Sequence, residues 1–158
     1  MAVVGGGPAG LQFAREMGQR TEADVAVLEA NDALSDNDKS TGGTFEQVIA
    51  GFDVPDSVVM DASPDVLFEG PTASARLAIP NYVLDFPAFL EFLGADAADH
   101  GVDVRTGVRV TDPVVEDGAV TGVRCREGRS EERVSADLVV DASGPAGVLT
   151  DELGVWDR

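Results

Sequence analysis

The chain has 158 residues, 44% of them hydrophobic, which is enough for one domain to bury a core and too apolar for a disordered segment. Asp and Glu number 29 against 11 Lys and Arg, a net charge of −18 that argues against nucleic acid as a partner, because phosphate backbones need basic patches. Lys39 is the only lysine, and so acidic a composition suits concentrated salt, where screening removes self-repulsion.

A single cysteine, Cys125, excludes an intramolecular disulfide and a cysteine-based metal cluster, and no metal site is expected. No apolar run approaches the ~20 residues that span a bilayer. The N-terminus lacks the basic flank and continuous apolar stretch of a signal peptide. The expectation is a cytoplasmic protein with no transmembrane segment, with peripheral contact to a membrane surface left open.

In chain order, Val3-Val4 reads as a strand that runs into Gly5-x-Gly7-x-x-Gly10. A helix follows, with Leu11, Phe13, Ala14 and Met17 apolar and Gly18 near its end. A second strand, Val25-Ala-Val-Leu, closes on Glu29, 19 residues beyond Gly10. Each part has a mechanical job in binding a dinucleotide. Gly5 permits the tight turn, Gly7 lets a pyrophosphate approach the backbone, Gly10 lets helix and sheet pack closely, and the helix start offers amides to the phosphates. Glu29 would accept hydrogen bonds from an adenosine ribose and would repel a 2′-phosphate, so the ligand is FAD or NAD rather than NADP.

Residues 30–43 are polar and read as a long loop. Residues 44–50 are expected to form a short helix and 51–64 to be mostly irregular. Val66-Leu-Phe-Glu and Arg76-Leu-Ala-Ile read as paired strands, and Tyr82-Val-Leu-Asp-Phe as extended. Pro87 fits the first turn of a helix that runs to about His100, with Phe89, Leu90, Phe92, Leu93, Ala97 and Ala98 at helical spacing on a buried aromatic face and Gly101 ending it. Val102-Asp-Val-Arg is a returning strand. Strands at 108–110, 114–116, 119–125 and 132–134, with turns at Asp112-Pro113, Asp117-Gly118 and Glu127-Gly128, make an antiparallel meander. Cys125 falls in one of these strands and reads as a structural thiol, and His100 as a cap on helix carbonyls. Ala136-Asp-Leu-Val-Val-Asp-Ala-Ser-Gly is a buried strand ending in a turn. Together these predict an α/β, Rossmann-like FAD/NAD(P)-binding three-layer fold with an inserted antiparallel β-meander.

The combination Val3-Val-Gly-Gly-Gly-Pro-Ala-Gly with Glu29, Asn81-Tyr-Val-Leu-Asp before an aromatic helix, Gly101-Val-Asp-Val-Arg, and Leu138-Val-Val-Asp-Ala-Ser-Gly resembles FAD-dependent oxidoreductases of the geranylgeranyl reductase family. That family shares its fold with flavin hydroxylases and halogenases. The resemblance implies FAD as cofactor. It also implies that Gly5, Gly7, Ala9 and Gly10 cradle the pyrophosphate and that Glu29 binds the ribose. Ser40, Thr41 and Gly43 would approach the ribityl and flavin region, Val110 would meet adenine through its backbone, and the turn from Asp141 to Gly144 would close the strand beside the nucleotide. Two positions differ from the family's usual pattern: the loop around Ser40 has no cysteine, and Phe86 follows Tyr-x-x-Asp where arginine is usual.

The implied activity is reduction of C=C bonds in an isoprenoid-type, lipid-like substrate, with NAD(P)H or ferredoxin as electron donor. A flavin monooxygenase or halogenase, and an FAD-binding fragment without turnover, are the alternatives. Since a flavin carries the redox step, no acid–base pair is demanded of the side chains and no catalytic residue is assigned. Family members continue with a Gly-Asp motif and a substrate domain, so residues 1–158, ending in Trp156-Asp-Arg158, are read as an incomplete FAD-binding domain.

Overall fold

The computed structural model describes residues 1–155; Trp156, Asp157 and Arg158 lie outside the described residues. In chain order the elements are β1 (Ala2–Val4), α1 (Pro8–Arg20), β2 (Ala26–Leu28), β3 (Gly43–Phe45), α2 (Glu46–Gly51), β4 (Val59–Ser63), β5 (Val66–Glu69), β6 (Ser74–Leu77), β7 (Asn81–Leu84), α3 (Phe86–Asp99), β8 (Asp103–Arg105), β9 (Val108–Glu116), β10 (Ala119–Glu127), β11 (Ser130–Ser135), β12 (Val139–Asp141) and α4 (Val148–Glu152). They divide into two compact units. The first comprises Met1–Asn37 and the chain from Leu90 onward, and the second is Asp38–Phe89.

The first unit is built on a four-stranded parallel sheet in the order β12-β1-β2-β8. Val3 lies opposite Val27 and Val140, and Val4 opposite Leu28 and Asp141. Such short strands must be apolar on both faces to be buried on both, and Val3, Val4, Val27 and Leu28 are all at most 4% exposed. Val4 and Leu28 join Val108, Val110, Val123, Cys125 and Leu149 in one core cluster, so the antiparallel sheet β11-β10-β9 and α4 cover that face. By the two-residue alternation of strands, Val3 and Val27 point the other way.

On that opposite side, α1 starts with Pro8 in its first turn, where a missing N–H costs nothing, and buries Leu11, Ala14 and Arg15 at helical spacing. Arg15 forms an ion pair with Asp96 of α3, and its guanidinium lies 5.6 Å from the centre of the Phe92 ring. Leu90, Leu93 and Ala97 are fully buried, each leucine contributing about 2 kcal/mol by burial. The result is helices, parallel sheet and meander in three layers, the α/β class expected.

In the second unit, β3, β7 and β4 form an antiparallel sheet with β7 central. β5 and β6 pair as a separate hairpin, with Val66 opposite Leu77. The Asn81 side-chain amide donates to the carbonyls of Asp65 (2.9 Å) and Ile79 (3.1 Å), tying the base of that hairpin. Asp85 caps α3, its Oδ1 accepting the Ala88 N–H at 3.1 Å.

Four expectations need correction. Residues 43–45 are a strand and the helix begins only at Glu46, because the β-branched and aromatic pair Thr44-Phe45 is held opposite Tyr82 and Asn81. Within 51–64, Val59–Ser63 is a strand, recruited by pairing to β7 despite its Asp and Ser content. Asp112-Pro113 is not a turn: β9 runs unbroken through it. Pro113 is tolerated because β9 is an edge strand, where a missing N–H forfeits little, and the ladder there is already irregular. The last strand is half-buried rather than buried, since β12 is the sheet's other edge.

Candidate functional site

The chain runs from β1 through α1 to β2 on one side, while β12 lies on β1's other side, so the strand order reverses at β1. Ligands of open α/β sheets bind outside the strand C-termini at such a switch point. A cavity of about 150 Å³ opens there. Its floor is the strand ends, Val4-Gly5 and Leu28-Glu29-Ala30; Arg109 and Val110 of β9 form one wall, and Ser143, Ala146 and Val148 another.

Gly5 turns the chain with φ +106°, and a Cβ there would stand 2.5 Å from the Ala142 carbonyl oxygen. A Cβ on Gly10 would collide with the Gly5 carbonyl oxygen, so this glycine is what lets α1 begin so close to β1. Gly7 differs from both. Its backbone is ordinary extended chain (φ −79°, ψ 178°), and a Cβ there would meet nothing within 4 Å. The fold does not need Gly7, and the space a side chain would fill lies against the start of α1. No side chain caps that helix and no acid stands in its first turn. Pro8 has no N–H to give, so the amides of Ala9 and Gly10 are the donors that the helix start leaves for an anion.

Glu29 is 9% exposed. Its Oε2 accepts the Gly6 N–H at 2.6 Å and its Oε1 accepts the Asn31 N–H at 2.8 Å. Burying a carboxylate is costly, and charge-assisted bonds from two amides offset that cost and fix its orientation. Each oxygen keeps a lone pair for a further donor. The backbone of Glu29 is held as well: its N–H donates to Arg105 (2.9 Å) and its carbonyl accepts from Val108 (2.8 Å).

Of the residues expected from sequence, the structure brings Gly5, Glu29 and Val110 to the cavity lining, with Gly7, Ala9 and Gly10 on the adjoining helix start. Val110 is 7% exposed and belongs to the core cluster. Asp141 and Gly144 are not in the lining; Ser143, between them, is. Both oxygens of Asp141 hold structure together. Oδ1 accepts the Ser143 amide (3.1 Å) and hydroxyl (2.5 Å), and Oδ2 accepts the Leu149 and Thr150 amides of α4 (2.9 and 3.0 Å). Burial opposes ionisation of Asp141, but those hydrogen bonds outweigh it and hold its carboxyl below the usual range.

Ser40, Thr41 and Gly43 lie in the second unit. The Ser40 hydroxyl accepts the Gly42 N–H at 3.1 Å, Thr41 is exposed, and Gly43 pairs with Val83. Phe86 packs its ring 6.5 Å from that of Phe89. Sequence reasoning missed Arg109, Ala146 and Val148, and reached Ser143 only as part of the turn from Asp141 to Gly144. An alternating strand gives no sign of which exposed residue overhangs a pocket, and α4 is too short to announce itself by periodicity.

Elsewhere, burial and then Glu132 push the Cys125 thiol up to about 11, leaving it protonated and inert. His100 donates from Nδ1 to the Asp96 carbonyl at 2.7 Å, capping α3. No group of three or more His, Cys, Asp or Glu able to hold a metal occurs among the described residues. No described helix is long and apolar enough to cross a membrane.

This fold has counterparts in known proteins. The family model described as tryptophan halogenase matches residues 66–155. A digeranylgeranylglycerophospholipid reductase of Haloferax volcanii is 39% identical over 158 residues, covering 98% of this chain and 38% of that protein. Among solved structures, a geranylgeranyl bacteriochlorophyll reductase-like protein of Thermoplasma acidophilum is similar with a TM-score of 0.90 at 23% identity, covering 97% of this chain and 41% of the other. A myxobacterial chondrochloren halogenase, a variant of FAD-dependent halogenases, gives 0.81 at 21% identity, covering 96% and 38%. The chain thus spans about two fifths of the length of these proteins. With more than half of its residues inside the family match, the chain belongs to the tryptophan halogenase family, and its relatives mark it as geranylgeranyl-reductase-like.

Proposed function

We propose that this chain, residues 1–158, is the FAD-binding domain of an oxidoreductase that reduces C=C bonds in an isoprenoid-type lipid. The observation that carries the proposal is the cavity at the ends of β1 and β2, with the buried Glu29 carboxylate fixed in its floor by two amides beside the open space at Gly7. In this reading Gly5, Gly7, Ala9 and Gly10 receive the pyrophosphate at the start of α1, Glu29 accepts from the adenosine ribose, and the cavity wall at Val110 meets adenine. Ser40, Thr41 and Gly43 serve the ribityl and flavin end. Asp141 and Gly144 shape the turn that carries Ser143. FAD, when bound, supplies the redox chemistry, and the protein supplies binding, orientation and exclusion of water. The name of the Haloferax relative supports a polyprenyl lipid as substrate; NAD(P)H or ferredoxin is the proposed electron source.

The family match and the halogenase neighbour favour one second reading, a flavin-dependent monooxygenase or halogenase. The test loads the protein with FAD, reduces it with dithionite without oxygen, and adds a geranylgeranyl-chain phospholipid. Flavin reoxidation with a gain of one hydrogen pair per double bond supports the reductase. Reoxidation only with oxygen, yielding a hydroxylated or halogenated product, supports the second reading. FAD binding without either product leaves a nucleotide-binding domain without turnover of its own, and no FAD binding contradicts both readings.

A further inference from the structure

Among the described residues Arg109 forms no ion pair. Arg15, Arg20, Arg76, Arg105, Arg126 and Arg133 each hold a carboxylate. Among the described residues Arg109 holds none, although the chain carries 29 acids against 11 bases. Arg124 and Arg129 also lack one, but neither lines the cavity of Glu29. Arg109 sits directly opposite Arg126 in the β9–β10 ladder, a like-charge pairing that costs stability. Arg109 is exposed, and no ion pair among the described residues holds it.

Its position points to a ligand. The Val108 N–H to Glu29 carbonyl bond (2.8 Å) ties the start of β9 to the acid's own backbone, and Arg109 is the next residue. Arg109 and Glu29 both line this one cavity, and no ion pair joins them among the described residues. Beside Arg109 the walls are mostly apolar, Val110, Ala146 and Val148, with Ser143 the polar member. A slot bordered by apolar residues and an exposed arginine, with a carboxylate in its floor, fits a flat base carried on a sugar diol. The guanidinium is planar, weakly hydrated and able to lie on an aromatic face, which an ammonium does less well. A 2′-phosphate would also attract Arg109, but it would meet the Glu29 charge.

We propose that Arg109 is the residue that stacks on the adenine of the bound dinucleotide, positioning the base while Glu29 holds the ribose. This rests on the FAD-binding reading above. The test measures FAD affinity by flavin fluorescence, and NADP⁺ competition, for the wild type, R109A and R109K, together with the thermal stability of each protein without ligand. Loss of the stack predicts FAD binding weaker by about fivefold to thirtyfold in R109A, the range expected for a partly desolvated cation–π contact. R109K should be weakened nearly as much, and ligand-free R109A should melt no lower than the wild type because the clash with Arg126 is relieved. R109K binding like the wild type while R109A does not would mean that charge alone matters, and NADP⁺ displacing FAD in an Arg109-dependent way would mean a phosphate site; either overturns the stacking role. R109A that melts lower with FAD affinity unchanged would make Arg109 structural and overturn it as well. A wild type that binds FAD, with both variants binding as tightly, defeats this proposal alone. A wild type that takes up no FAD defeats the FAD-binding reading along with it.

Discussion

The glycines at 5, 7 and 10 look alike in the motif and do different work. Gly5 and Gly10 are required by the fold: one by its positive φ and the approach of Ala142, the other by the approach of the Gly5 carbonyl oxygen. Gly7 is required by neither conformation nor contact. Gly7→Val should therefore leave the melting temperature close to wild type while abolishing FAD binding. Gly10→Ala should destabilise by about 1–3 kcal/mol or more through overpacking. Chemical denaturation of the two variants side by side checks this, and a Gly7→Val protein that unfolds as readily as Gly10→Ala would refute the separation. Glu29→Gln replaces one amide-accepting oxygen by an NH₂ facing a backbone donor. It should weaken FAD binding and also lower stability by about 1–3 kcal/mol, both read from one set of calorimetric titrations and melts.

At the scale of elements, α4 shows how a helix too short to stand alone is held. A five-residue helix is far below the length at which isolated helices persist, so its stability comes from Leu149 in the core and from Asp141 gripping two of its amides. Because the folded carboxyl is held below its ordinary value, Asp141 favours the folded state above the unfolded pKa of about 4, and that contribution disappears as pH falls through the lower folded value. Asp141→Asn should cost about 1–2 kcal/mol at pH 7 and flatten the acid limb of the stability curve. Equal acid sensitivity in the variant, measured by urea melts from pH 7 to pH 3, would deny Asp141 this role. The same element shows what was legible in the sequence. β1, α1, β2 and α3 were readable because glycine spacing, Pro8 and Pro87, and apolar periodicity are local signals. Val59–Ser63 was not, because only its pairing to β7 makes it a strand, and the continuity of β9 is hidden by Pro113, a turn signal that an edge strand overrides. In the site, Glu29 was readable from its spacing to Gly10. Arg109, Ala146 and Val148 were not, because they reach the cavity only through the packing of the meander and of the segment around α4 on the sheet.

For the whole molecule, the governing quantity is the net charge of −18, carried by a chain whose arginines are mostly paired already. The surplus carboxylates repel one another across the surface, and added salt shortens the range of that repulsion from about 10 Å at 0.1 M to about 3 Å at 1 M. The melting temperature should therefore rise steeply with KCl over that range, and a melting temperature indifferent to salt would contradict the electrostatic account. Such conditions also frame the measurement that bears most directly on the central claim, that an adenine dinucleotide lies at the switch point of the parallel sheet. Folded protein in molar KCl, titrated with FAD, should take up one flavin per chain with a shifted visible spectrum and release it to excess ADP. A folded, cooperatively melting protein that stays colourless through that titration, or that binds flavin indifferently to ADP, would contradict it.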